Sequence, residues 1–130
     1  MSWVELFAVF LVCHLAGDFL LQTDWQALHK RGGLGSDPVA RRALVSHASV
    51  YTLACLPAFI WICDERNIWW AIGTAVAVFV PHLIQDDGRV IKLYAARVKR
   101  TTDLSPSLYL MLDQSFHVVA LFVTALVVGF

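Results

Sequence analysis

Three pairs of a histidine and an aspartate stand four residues apart in this chain: His14 with Asp18, His82 with Asp86, and Asp113 with His117. A fourth histidine, His47, lies alone in another apolar stretch. On a helix, residues four apart sit one above the other on a single face. Each pair can therefore offer an imidazole nitrogen and a carboxylate oxygen to the same region. Four neutral imidazoles and three carboxylates form a nitrogen and oxygen donor set. Such a set suits zinc, manganese or iron, and it is rich enough for one divalent ion or two. An ion held in this way polarises a phosphoryl or carbonyl oxygen and acidifies a bound water. Asp18, Asp86 and Asp113 are also the candidate catalytic groups, because a carboxylate can act as the base that activates water instead of as a ligand.

The elements that must position these groups are strongly apolar. Of the 130 residues, 58% are hydrophobic and 15% are charged. Soluble domains average about 45–50% and about 25%. The excess lies in four long blocks, which predicts one all-α domain over residues 1–130, an integral membrane four-helix bundle. Helices are expected at about 3–22, 43–63, 68–86 and 108–129. Asp37-Pro38 and Ser105-Pro106 each read as an N-cap followed by proline in the first turn. Pro57 predicts a kink in the second block. The polar turn at Asp64-Glu65-Arg66-Asn67 is so short that the helices on either side must be antiparallel neighbours. Residues 89–103 interleave basic and apolar side chains, as an amphipathic interfacial helix or an extension of the third helix would. Trp3, Trp25, Trp61, Trp69 and Trp70 flank the blocks and fit interface belts. The start of the chain lacks a basic segment and a small-residue cleavage pattern, so the first block is expected to stay as a spanning helix. Cys13, Cys55 and Cys63 form no metal-binding pair and read as small apolar side chains.

Lys plus Arg and Asp plus Glu each number 10, and the formal net charge is zero. The basic residues are confined to loops and give no sign of a nucleic-acid partner. Arg66 is alone in the turn between the second and third blocks. The rest, Lys30 and Arg31 among them, lie in the two longer connectors. The positive-inside rule makes those connectors cytoplasmic and puts both termini outside. Under that topology His14, Asp18, His47, His82, Asp86, Asp113 and His117 all fall in the cytoplasmic half of the bilayer. An ionisable residue at mid-membrane costs roughly 2.5–3.5 kcal/mol or more, so these groups should turn inward and find partners. The bland alternative is a hydrogen-bonded structural network, and a proton relay is a third reading. Gln22, Tyr51 and Gln114 are candidates to support the ligands from behind, or to make ordinary interhelical hydrogen bonds. Lys92 and Arg97, with Lys99 and Arg100, could hold an anionic lipid headgroup or simply fix topology. His29 is expected to be solvated.

The run His14-Leu15-Ala16-Gly17-Asp18-Phe19-Leu20-Leu21-Gln22 resembles a family of small bacterial membrane proteins, domain of unknown function 3307. So do His47 with Tyr51 four later, His82 with Asp86 and Lys92, and Asp113-Gln114 with His117. The resemblance spans nearly the whole chain. It implies an integral membrane protein of this length, in the inner membrane of a bacterium, and no substrate. The Asp86-Asp87-Gly88 sequence departs from the family pattern and leaves open which aspartate is functional; helical spacing favours Asp86. A looser likeness, on His/Asp pairs in apolar helices alone, is to membrane-bound metal-dependent hydrolases.

The leading expectation is a multi-pass membrane hydrolase that uses a divalent metal on a membrane-borne substrate, such as a lipid phosphate or ester. A proton or metal-ion transporter or channel subunit is the alternative, and a non-catalytic membrane adaptor the third. Membrane lipid is the expected partner, and a homo-oligomer is left open.

Overall fold

The computed structural model describes all 130 residues, and every regular element in it is a helix. Seven helices follow in order. Ser2 opens α1 (Trp3–Leu15) with a capping box: its hydroxyl accepts from the Glu5 N–H, and the Glu5 carboxylate accepts from the Ser2 N–H. These bonds satisfy two amides that the first turn would otherwise leave free. α1 runs directly into a π-helical turn at Ala16–Leu20. The block read as one helix over 3–22 is thus a composite that ends at Leu20.

The connector from 23 to 37 carries a helix of its own, α2 (Asp24–His29), which Thr23 and Gln26 open with a second capping box. Asp37 and Pro38 start α3 (Pro38–Ala54). The second apolar block is therefore helical from 38, earlier than the expected 43. It breaks at Cys55, where α3 hands over to α4 (Leu56–Glu65) with a bend of 50°. The cause is Pro57, which has no N–H to return to the carbonyl four residues back. α5 (Ile68–Asp86) opens on Asn67 and has the expected bounds. Gly88, at φ 83°, separates it from α6 (Arg89–Tyr94), so the basic connector forms a distinct helix rather than an extension. A π-helical turn follows at Ala95–Lys99, and Ser105 caps α7 (Pro106–Gly129).

α1 packs on α7, α7 on α5, and α5 on both α3 and α4, which return to α1. The interior is layered along the helix axes. At one end Gly129 lies against the Trp3 backbone, and the Met1 ammonium pairs with Glu65 at 3.0 Å. Above this, Leu6, Phe10, Cys55, Ile62, Val78, Leu121 and Val128 share one apolar cluster. At the opposite end the buried residues are polar: Asp18, His47, His82, Asp86 and His117. The outside is apolar, with Val12, Phe19, Leu53, Ile60, Val76, Val123 and Val127 all exposed. Three helical spans are long and apolar enough to cross a membrane, and four if α3 and α4 together form one bent span. The cysteines are free, with Cys13 and Cys55 buried among apolar neighbours.

Gly17 decides how closely α1 and α3 approach. A Cβ there would lie 2.7 Å from Cδ2 of Tyr51 and 3.2 Å from its Cα. The first contact is with a ring and the second with backbone, so neither can yield freely. Gly17→Ala is expected to destabilise by about 1–3 kcal/mol, as overpacking does. It should lower the thermal unfolding midpoint of the purified protein by several degrees. An unchanged midpoint would mean that the two helices are not in this contact.

Candidate metal centre

Four side chains from three elements meet at one point. Asp18 comes from the π-helical turn, His47 from the middle of α3, and His82 and Asp86 from the last turns of α5. Nε2 of His47 lies 3.1 Å from Oδ1 of Asp18 and 3.0 Å from Oδ2 of Asp86. Nε2 of His82 lies 3.1 Å from that same Asp86 oxygen, 3.7 Å from Oδ1 of Asp18, and 3.1 Å from Nε2 of His47. These are atoms that bear lone pairs, and they face each other inside an apolar scaffold. They need shared protons or a cation between them. A tetrahedral ion with nitrogen and oxygen ligands at ~2.0–2.1 Å has ligand-to-ligand edges of ~3.3 Å. The observed separations fall around that length, so the set could hold a metal ion.

Asp86 also belongs to a second group, with Asp113 and His117 of α7. Nδ1–H of His117 donates to the backbone carbonyl of Asp113 at 2.7 Å. That commits the proton of the neutral ring to Nδ1 and leaves Nε2 bare. Nε2 then faces Oδ1 of Asp86 at 3.4 Å, and neither buried atom has a hydrogen-bond partner. Beside His82, Gln85 and His117 is a void of about 10 Å³, room for about one water.

Tyr51 and Gln114 hold this arrangement in place. The Tyr51 ring stacks on His82 with centroids 3.5 Å apart and planes 14° from parallel. The stacking sets the His82 ring plane, because Nδ1 of His82 has no partner, and neither does Nδ1 of His47. A metal-binding histidine is commonly oriented by a hydrogen bond from its other nitrogen; here an aromatic face takes that part for His82. The amide nitrogen of Gln114 donates to Asp18 at 3.2 Å and Asp113 at 3.3 Å, so its oxygen is the atom turned to His14. Nε2–H of His14 donates to that oxygen at 2.8 Å, and Nδ1 accepts from the Tyr51 hydroxyl at 3.0 Å. His14, expected as a ligand, lies outside both donor groups. Both its nitrogens are taken, and its nearest approach to a carboxylate is 3.7 Å, to Asp18. The other six expected residues supply the two donor groups.

Lys30 is the residue that spacing did not reveal. Its ammonium donates to Oδ2 of Asp86 at 2.8 Å and to Oε1 of Gln22 at 2.6 Å. Gln22 therefore reaches the centre through Lys30. The only available signal was a basic residue just past α2, and loop cations are read first as topology signals. Asp87 turns the other way. It accepts from Leu34 N–H at 2.8 Å and pairs with Arg89 at 3.2 Å, and its backbone carbonyl accepts from Gly32 N–H. Asp86 thus faces the centre and Asp87 clamps the loop that carries Lys30. Lys92 and Arg97 are exposed and make no ion pair with the centre. His29 is exposed, with Nδ1 bonded to the Trp25 carbonyl.

The profile of a family described as protein of unknown function (DUF3307) matches residues 6–129. The chain belongs to that family. Searches of curated proteins and of solved structures found no match. The residues that carry the centre, from His14 to His117, all lie within the matched span.

The Asp87 clamp has a measurable consequence. Asp87→Ala leaves the Leu34 N–H without its acceptor, at a cost of about 1–3 kcal/mol if that amide stays buried. The 30–35 loop should open more often, and trypsin should cut after Lys30 or Arg31 faster than in the parent protein. Equal cleavage rates would show that the clamp does not hold the loop.

Proposed function

We propose that this protein is a metal-dependent hydrolase in a cell membrane, acting on a membrane-borne substrate. The observation that carries the reading is the spacing of the four donor atoms from Asp18, His47, His82 and Asp86, which matches a tetrahedral ion. Zinc, manganese and iron all suit these ligands. Asp18, His47, His82 and Asp86 would hold one ion, and Asp86, Asp113 and His117 could hold a second. Three protein donors leave a coordination position open, as catalytic sites do, and the adjacent void has room for a water. Such an ion supplies an acidified water and polarises the bond under attack. Asp18 or Asp113, joined through Gln114, would take the proton in place of serving as a ligand. His14, Tyr51 and Gln114 are positioning residues.

The membrane reading rests on an apolar exterior around a polar interior, and on the apolar spans. We read α1, α3 with α4, α5 and α7 as a four-helix bundle with both termini outside. The cytoplasmic side would then hold the centre, the 23–37 connector and α6. An open groove of about 730 Å³ between α5 and α7 shares Ala77, Pro81 and Ala120 with the small void beside His82 and His117. A lipid chain lying in that groove would reach the residues beside the centre, which supports a lipid-borne substrate.

A transport path is disfavoured by the layer beyond the centre. That layer is the apolar cluster from Leu6 to Val128. The hydroxyls of Thr74 and Thr124 are bonded back to their own helices, to the carbonyls of Trp70 and Ala120. A conduction path needs polar groups at successive depths.

Elemental analysis of the purified protein should find stoichiometric divalent metal. His82→Ala or Asp86→Ala should weaken metal binding by at least about tenfold. Binding should also weaken as the pH falls, because protons compete with the metal for the histidine nitrogens and carboxylates. Metal-free protein that gains none on titration at neutral pH would sink the metal centre. In proteoliposomes the protein should not dissipate an imposed proton or divalent-metal gradient. Dissipation abolished by His82→Ala would replace the hydrolase with a transporter. A reporter fused after Glu65 should read outside and one after Arg97 inside; both on one side would refute the four-span topology.

A further inference from the structure

We infer that Lys30 is the anion-recognition residue of this centre, and that the substrate it receives is a phosphate ester. The inference rests on the metal-centre reading and names the substrate class for that site. It starts from an overcrowded oxygen. Oδ2 of Asp86 has Lys30 Nζ at 2.8 Å, His47 Nε2 at 3.0 Å and His82 Nε2 at 3.1 Å. A carboxylate oxygen has lone-pair room for about two strong partners. An ion held by the two histidines would need this oxygen as a ligand, and the ammonium would then lose its counter-charge.

The ammonium is not free to leave. Gln22 holds it at 2.6 Å through a neutral oxygen, which fixes its position and offsets none of its charge. The loop behind it is clamped to Asp87 by Gly32 and Leu34. The Lys30 side chain is 12% exposed, whereas that of Asp86 is fully buried. A cation held there without a partner is costly, and an incoming anion relieves that cost. Lys30 is the cation in direct contact with the donor set. A cation held beside a metal site matches a substrate that carries negative charge on its own oxygens, which is what a phosphate ester offers. A neutral ester carries no such charge.

Manganese-loaded protein in maltoside micelles provides the test, read as paramagnetic broadening of a phosphorus-31 resonance. One arm uses inorganic phosphate and the other phosphatidic acid in the micelle. Both should broaden; the one acting at the lower concentration identifies the source as free phosphate or lipid headgroup. Lys30→Met should keep its manganese and need at least about tenfold more phosphate for equal broadening, and Lys30→Arg should recover part of the loss. Unchanged broadening in Lys30→Met would overturn the inference while leaving the metal centre intact. Loss of manganese by Lys30→Met would assign Lys30 to assembly of the centre and also overturn it. A parent protein that takes up no manganese and no zinc would fail one step earlier, at the metal-centre reading.

Discussion

The carboxylate of Asp86 is the constraint on which the rest of this structure depends. It sits fully buried at the end of α5 and is approached by Lys30, His47, His82 and His117. A lone carboxylate at that depth would be strongly disfavoured, so its partners must be delivered accurately. Each arrives from a different part of the chain: the loop after α2, the middle of α3, the preceding turn of α5, and α7. The layering follows from this. The apolar cluster and the small contacts at Gly17 and Gly129 set the helix spacing. The polar end can then close to within about a hydrogen-bond length of a single point.

Tyr51 links the two halves of that design. Its ring belongs to the apolar cluster and stacks on His82, while its hydroxyl enters the polar network through His14. Gln114 plays the corresponding part on the α7 side, tying His14, Asp18 and Asp113 together. Neither residue completes a donor group. Both restrict the rotamers of residues that do, and such restriction keeps a buried polar cluster uniquely arranged.

Most of the centre was legible because helical spacing is a local property. His82 with Asp86, and Asp113 with His117, lie on regular α-helix, so spacing alone put them on one face. Hydropathy then put the blocks side by side. His14 lies apart from the donor groups for an identifiable reason. Asp18 stands on a wider π-helical turn, so the two residues point to different neighbours: Asp18 to His47, and His14 to Tyr51 and Gln114. Lys30 was invisible for another reason. It reaches Asp86 across 56 positions of sequence, from a loop whose path depends on Asp87, Gly32 and Leu34 together. α2 could have been read from Thr23 and Gln26, a capping box in a stretch too short to attract a helix assignment.

The π-helical turn also limits how this chain can change. Such a turn amounts to one residue more than an α-helix would use over the same rise. Removing a single residue between 16 and 20 would let α1 continue as regular helix and would raise its intrinsic regularity. If the residue removed were Ala16 or Gly17, Asp18 would step back one position on that helix, about 100° around the axis, carrying its carboxylate away from the centre. Point substitutions on the outer face leave the donor atoms in register, while a one-residue change in length does not. Between His14 and Gln22, then, the protein is tolerant of altered side chains on its outside and intolerant of altered spacing.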